Sequence, residues 1–173
     1  MSNDKRNLHY LHELSKYEVA NDDPDVRGWD LVDGDGRHIG KVDNFLVSKD
    51  AMRVRYLDVE IDKKIIDKEH KPLKTGKTGG THEYINQEGD NHLIVPIGMV
   101  RLDNEHKEVY TDKIDSNTFD TTERVEKNKA IDPAYEVYVV EHFTGSETGY
   151  RNKVTDAAFY DRDVFRHQQY QGR

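Results

Sequence analysis

The chain contains no cysteine in 173 residues, which removes disulfides, thiolate nucleophiles, Cys-ligated zinc and iron–sulfur clusters together. Any chemistry must use oxygen and nitrogen groups. Apolar bulk is scarce as well, since hydrophobic types make up 34% of the chain against 35% charged, and mean hydropathy is −0.97. That is a thin core for the length, so segments flanking a central domain must dock on it or on a partner. No apolar run approaches the roughly 18 to 20 residues needed to cross a bilayer, and Met1 to Tyr10 has no apolar signal-peptide core. The expectation is a soluble, cytoplasmic protein without membrane insertion. Basic charge is in deficit, with a net charge of −8 and a pI near 5.6, whereas phosphate contact demands a basic footprint. Nucleic acid is therefore an unexpected partner.

What is present is concentrated between Gly28 and Ile61. The run Trp29-Asp30-Leu31-Val32 breaks at Asp33-Gly34-Asp35-Gly36, and Gly and Asp tolerate the positive φ of a tight turn. The chain must reverse there. Ile39, Val42, Phe45 and Val47 then form a second strand-like run, and Val54, Tyr56 or Leu57, Val59 and Ile61 alternate with charged residues in a third. One buried and one wet face is the expected result. Gly40 inside the second run marks a bulge or bend that curls a short sheet toward closure. Trp29, Val32, Ile39, Val42, Phe45, Leu46, Leu57, Val59, Ile94, Val95 and Ile97 supply most of the apolar bulk of the strands, and most of them are expected in the core.

These same residues carry a resemblance to a known family. Gly28-Trp29-Asp30-Leu31-Val32-Asp33, Asp35-Gly36-Arg37-His38-Ile39-Gly40-Lys41-Val42 and Tyr56-Leu57-Asp58-Val59-Glu60 resemble the PRC-barrel domain. This is the barrel of the photosynthetic reaction-centre H subunit, shared with soluble relatives and with the C-terminal domain of a ribosome maturation factor. His92-Leu93-Ile94-Val95-Pro96-Ile97-Gly98 and Val109-Tyr110 are similar to strands of the family's second half. The resemblance runs from about Asp25 to Ile114 and implies a mainly β fold, a small closed barrel. Gly28, Trp29, Asp33, Gly36, Ile39, Gly40, Val42 and Pro96 are its structural motif positions. It implies no catalytic residue.

Around a barrel at 25–114 the sequence places an N-terminal arm and linker at 1–24 and a partly helical extension at 115–173. Leu8, Leu11, His12 and Leu14 suit either one face of a short helix or a strand-like arm. Asp132 can cap a helix that begins at Pro133, runs over Ala134 to Phe143 and ends before Gly145. Three β-branched valines leave a strand as the alternative. A further helix is predicted over Asp156 to Gln169, with Thr155 as its cap. Helices this short need something to pack on, which motivates a homodimer built through the N-terminal arm or the tail beyond Ile114; docking on the chain's own barrel is the other solution.

Residues 62–91 read as an insertion between the barrel halves, where Lys63, Lys64, Lys68, Lys71, Lys74 and Lys77 lie among glycines. It reads as a solvated tip that folding does not need, or as a positive contact patch on an acidic protein. Gly76-Lys77-Thr78 imitates the end of a phosphate loop, but Lys71 stands where its first glycine belongs. Asp33 to Gly36 imitates a calcium loop, but Arg37 and Ile39 occupy ligand positions. Thr144 to Gly149 lacks the strand and glycine spacing of a nucleophile elbow. His70, His82 and His92 form no metal-binding spacing and read as surface histidines. With no catalytic set, no metal and no cofactor in view, the sequence points to a non-catalytic binding or adaptor module with a protein partner. An RNA-processing or ribosome-assembly factor that uses the lysine-rich insertion is the alternative.

Overall fold

The computed structural model describes residues 8–13, 25–48, 53–62, 91–126, 129–151, 153 and 155–166. The six insertion lysines, His70 and His82 lie outside them. The elements are β1 (Leu8–Tyr10), β2 (Asp30–Asp33), β3 (His38–Ser48), β4 (Arg53–Ile61), β5 (His92–Pro96), β6 (Arg101–Asp103), β7 (Glu108–Thr111), α1 (Ser116–Thr121) and α2 (Pro133–Thr144). Short 3-10 turns occupy Leu11–Glu13, Ile97–Met99 and Asp163–Phe165.

The strands form a seven-stranded sheet in the order β5-β4-β3-β2-β7-β6, with β1 added on β3. The fold is mainly β, as expected. The first hairpin closes because the Asp33 carboxylate accepts from the backbone N–H of Asp35 and of Arg37, while Gly36 takes φ 82°. Gly28 (φ 92°) sends its N–H to the Val42 carbonyl at 2.7 Å. The β2–β3 register slips beside Gly40, and a Cβ there would overlap the Glu60 carbonyl. Glycine is thus required by close backbone approach.

The expected closed barrel is not formed. β5 and β6 stand at opposite ends of the sheet order and no ladder joins them among the described residues. The chain leaves β5 at Pro96, which has no N–H to donate, and enters the turn Ile97–Met99. The outer edge of β5 is meanwhile taken by Val125, which exchanges backbone hydrogen bonds with His92 at 2.7 and 2.9 Å.

The expected wet face is also corrected, since Tyr56, Leu57, Asp58 and Val59 are all buried. Leu57 and Val59 pair with Val95 and Leu93 on one face; Tyr56 and Asp58 pair with Pro96 and Ile94 on the other. The second face is covered by the C-terminal extension. Tyr56 meets the Phe165 ring edge-on at 5.3 Å, and its hydroxyl donates to Glu136 of α2. The apolar faces that invited exchange with a second copy are thus covered within the chain. Trp29 and Val32 are half-buried rather than in the core, with the Lys107 ammonium 5.3 Å from the Trp29 ring centre. The other nine expected core residues are buried.

α2 has the predicted ends. The Asp132 carboxylate accepts from the Tyr135 N–H at 2.9 Å, Pro133 opens the first turn, and Gly145 stops the helix at φ 72°. The predicted helix over 156–169 is absent from its described part, which holds turns and the 3-10 turn Asp163–Phe165. Thr155 is no cap; it is buried and its hydroxyl donates to Glu136. The arm takes its strand-like form, β1 pairing with the end of β3. Tyr10 ties it to the extension by donating to the Lys129 carbonyl at 2.6 Å.

Two stability outcomes follow from this packing. Phe45 is 2% exposed, and Phe45→Ala is expected to cost on the order of 3 to 5 kcal/mol; an unchanged denaturation midpoint would remove it from the core. The extension seats directly on Gly98, where a Cβ would come within 2.6 Å of the Val164 carbonyl. Gly98→Ala should cost about 1 to 3 kcal/mol through overpacking and speed proteolysis after Thr155. Wild-type protease resistance would show that the tail is not seated there.

Candidate functional site

Arg55 owes its position to a slip in register. Along the β3–β4 ladder Leu46 faces Tyr56 and Val47 faces Val54, so Arg55 is an extra residue bulged out of β4. Bulges of this kind re-aim a side chain. Its guanidinium lies 4.6 Å from the centre of the Tyr160 ring, a stacking that suits a planar cation. Tyr160 is itself held edge-on by Phe159 and Phe165, at 5.3 and 5.2 Å. Between β4 and this aromatic turn opens a cleft of about 670 Å³, lined by Arg53, Arg55, Arg166, Tyr160, Phe165 and Ala158 among others.

The cleft is cationic on a chain of net charge −8. Arg166 is neutralised by Asp163 at 2.9 Å and by Asp161 at 3.6 Å. Arg53 and Arg55 make no ion pair among the described residues, and the Arg55 Nε is buried without an acceptor there. Burial lowers the pKa of Arg55, and the neighbouring Arg53 charge pushes the same way. An arginine nonetheless stays charged.

Beneath the cleft sits a buried carboxyl. Glu136 Oε1 accepts from the Tyr160 hydroxyl at 2.5 Å and from the Tyr56 hydroxyl at 3.0 Å, and Oε2 accepts from Thr155 at 3.2 Å. Burial raises its pKa to about 7 against the opposing effect of these three donors. Glu136, Val139, Val140 and Phe143 share one helical stripe. An acid on an otherwise apolar stripe was a legible signal that sequence reasoning passed over.

A second cluster corrects the reading of His92 as a surface histidine. His92 is 1% exposed, and its Nδ1 lies 2.8 Å from Asp58 Oδ1. Asp43 joins them because Val42 faces Val59 while Asn44 faces Asp58, which leaves Asp43 bulged out of β3. Ligand-type atoms of the three residues lie within 4.8 Å of one another, and two carboxylates with one imidazole suit a divalent transition metal. The visible bond, His92 to Asp58, ties β5 to β4. Of the motif residues, Gly28, Trp29, Asp33, Gly36, Ile39, Gly40 and Val42 belong to β2, β3 and their turns, and Pro96 ends β5; none of them lines the cleft. Arg53 and Arg55 carried no sequence signal beyond alternation, since a bulge is set by pairing.

Glu136 makes stability depend on pH. An unfolded glutamate titrates near 4.5, the buried one near 7, so its contribution is full below about pH 4.5 and is lost as pH rises through 7. The loss is on the order of 3 kcal/mol. His142, whose pKa burial lowers, acts in the opposite sense, so the readout is wild type minus variant. Glu136→Gln keeps an acceptor for the tyrosines and should remove most of the fall in urea midpoint between pH 5 and 8. Parallel curves for the two proteins would mean that Glu136 is ionised throughout.

The family model for the PRC-barrel domain matches residues 18–117. The match includes Arg53 and Arg55 but stops before α2 and the aromatic turn, so the cleft joins the family domain to a wall supplied by the rest of this chain. No curated protein matches the sequence. Among the described residues no helix is long and apolar enough to cross a membrane. With more than half its length matched, the chain belongs to the PRC-barrel family.

Proposed function

We propose that this chain is a non-catalytic binding module, an adaptor of the PRC-barrel type akin to the soluble relatives of the reaction-centre H-subunit barrel, and that it binds through the Arg53–Arg55 cleft. The observation that carries this reading is the pair of guanidiniums without ion-pair partners among the described residues, in a cleft of an acidic chain. Arg53 is exposed, but Arg55 is half-buried with its Nε lacking an acceptor among the described residues; partial desolvation of an unpaired charge is costly, and a bound group that neutralises it recovers that cost. The groups that could serve catalysis are engaged internally: the Glu136 oxygens meet three hydroxyls, and His92 meets Asp58. A binding role uses the cleft and leaves those contacts intact.

Affinity capture with the full chain tests this. The double variant Arg53→Gln/Arg55→Gln should keep the wild-type circular dichroism and lose the partner that wild type retains, and wild-type retention should fall as salt rises. Equal retention by the folded double variant would move binding to another face.

A further inference from the structure

Resting on the proposal that the cleft is the binding face, we infer that the group it recognises is the dianionic head of a phosphate monoester on a flat, apolar carrier. Charge decides the head. The lining holds Arg53, Arg55 and Arg166 against Asp161 alone, with Asp163 paired to Arg166 but not lining the cleft, so two positive charges of the lining are left over. A carboxylate would neutralise one of them, whereas a phosphate monoester carries up to two negative charges near neutral pH.

Geometry agrees with the charge. Guanidinium groups bind phosphate oxygens through paired N–H donors, and the Arg53 and Arg55 side chains both line the cleft. Arg53 and Arg55 are two residues apart on β4, close enough for the Arg53 charge to lower the proton affinity of Arg55. A doubly charged oxyanion between them relieves that repulsion.

The walls decide the carrier. Phe165 is buried in the core cluster and lines the cleft, and Ala157, Ala158 and the Tyr160 ring continue an apolar surface beside the arginines. Tyr160 cannot turn away, because Glu136 holds its hydroxyl and Arg55 covers its face. The volume of about 670 Å³ falls within the range of small-molecule clefts, which leaves room for a ring as well as a head. Neither the carboxylate that lines the cleft nor the one behind Tyr160 opposes an anion. Asp161 is tied to Arg166 at the rim, and Glu136 lies behind Tyr160 with its oxygens occupied.

The test is isothermal titration of the full chain with phenyl phosphate, inorganic phosphate and phenylacetate at one ionic strength. Phenyl phosphate is expected to bind at least about tenfold more tightly than either single-feature probe. Arg53→Gln and Arg55→Gln should each weaken phenyl phosphate by a similar factor, and Arg55→Lys, which keeps the charge but not the fork, should give an intermediate loss. Arg53 is exposed and is not part of the hydrophobic core cluster, so its variant guards against misfolding as the cause. Equal affinities for phenylacetate and phenyl phosphate would overturn the dianion. Equal affinities for phenyl and inorganic phosphate would overturn the carrier. If none of the probes binds wild type while the double variant still loses its captured partner, the ligand class is wrong and the binding face stands. If the double variant also keeps the partner, both fall.

Discussion

The antiparallel ladder between β3 and β4 carries most of what is particular to this molecule. β3 is 11 residues long and bonds to β1, β2 and β4, so its course sets the position of every strand near it. Two register slips along the β3–β4 ladder place Asp43 beside the His92–Asp58 pair and Arg55 at the mouth of the cleft. A strand twists and bends where it carries an extra residue. Both polar clusters are therefore products of pairing geometry, and a ladder in regular register would send both side chains elsewhere.

The second constraint is that β4 and β5 are covered on both faces. Tyr56 and Asp58 point away from the side that Leu57 and Val59 share with Leu93 and Val95, and the C-terminal extension supplies what covers them. Its contact is polar at the centre, with Glu136 gathering three hydroxyls, and aromatic around the rim, with Phe159, Tyr160 and Phe165 in edge-on or tilted contact. A fully hydrogen-bonded buried carboxyl specifies one docking geometry more narrowly than apolar contact does, since misplacement strands polar groups. The same tyrosine that fixes the docking is the floor on which Arg55 rests, so seating of the extension and shape of the cleft are coupled through one ring.

Openness of the sheet has the same origin. A barrel would join β5 to β6, but β5 ends at Pro96 and gives its outer edge to Val125. The exposed edge that strands must otherwise guard is covered here by the chain's own later segment. Family membership thus describes residues 18–117, while the cover of the sheet and one wall of the cleft come from residues after it.

Local features were determined by sequence alone. The turn at Asp33 to Gly36 and the two ends of α2 at Asp132 and Gly145 each depend on residues within a few positions, where the freedom of glycine or a capping carboxylate dictates the backbone. The strand run from Trp29 to Ile61 was legible for the same reason, as alternation is a local pattern. The cleft was not legible. Arg55 is re-aimed by a slip against β3, Glu136 meets Tyr56 across 80 residues and Tyr160 across 24, and the predicted helix after Thr155 gives way to turns that fit Gly98 and Tyr56. In each case packing of distant segments outweighs local preference, which amounts to a few tenths of a kcal/mol per residue against the larger cost of leaving Tyr56, Phe159 and Phe165 in water. Only the tertiary structure could decide which faces those were.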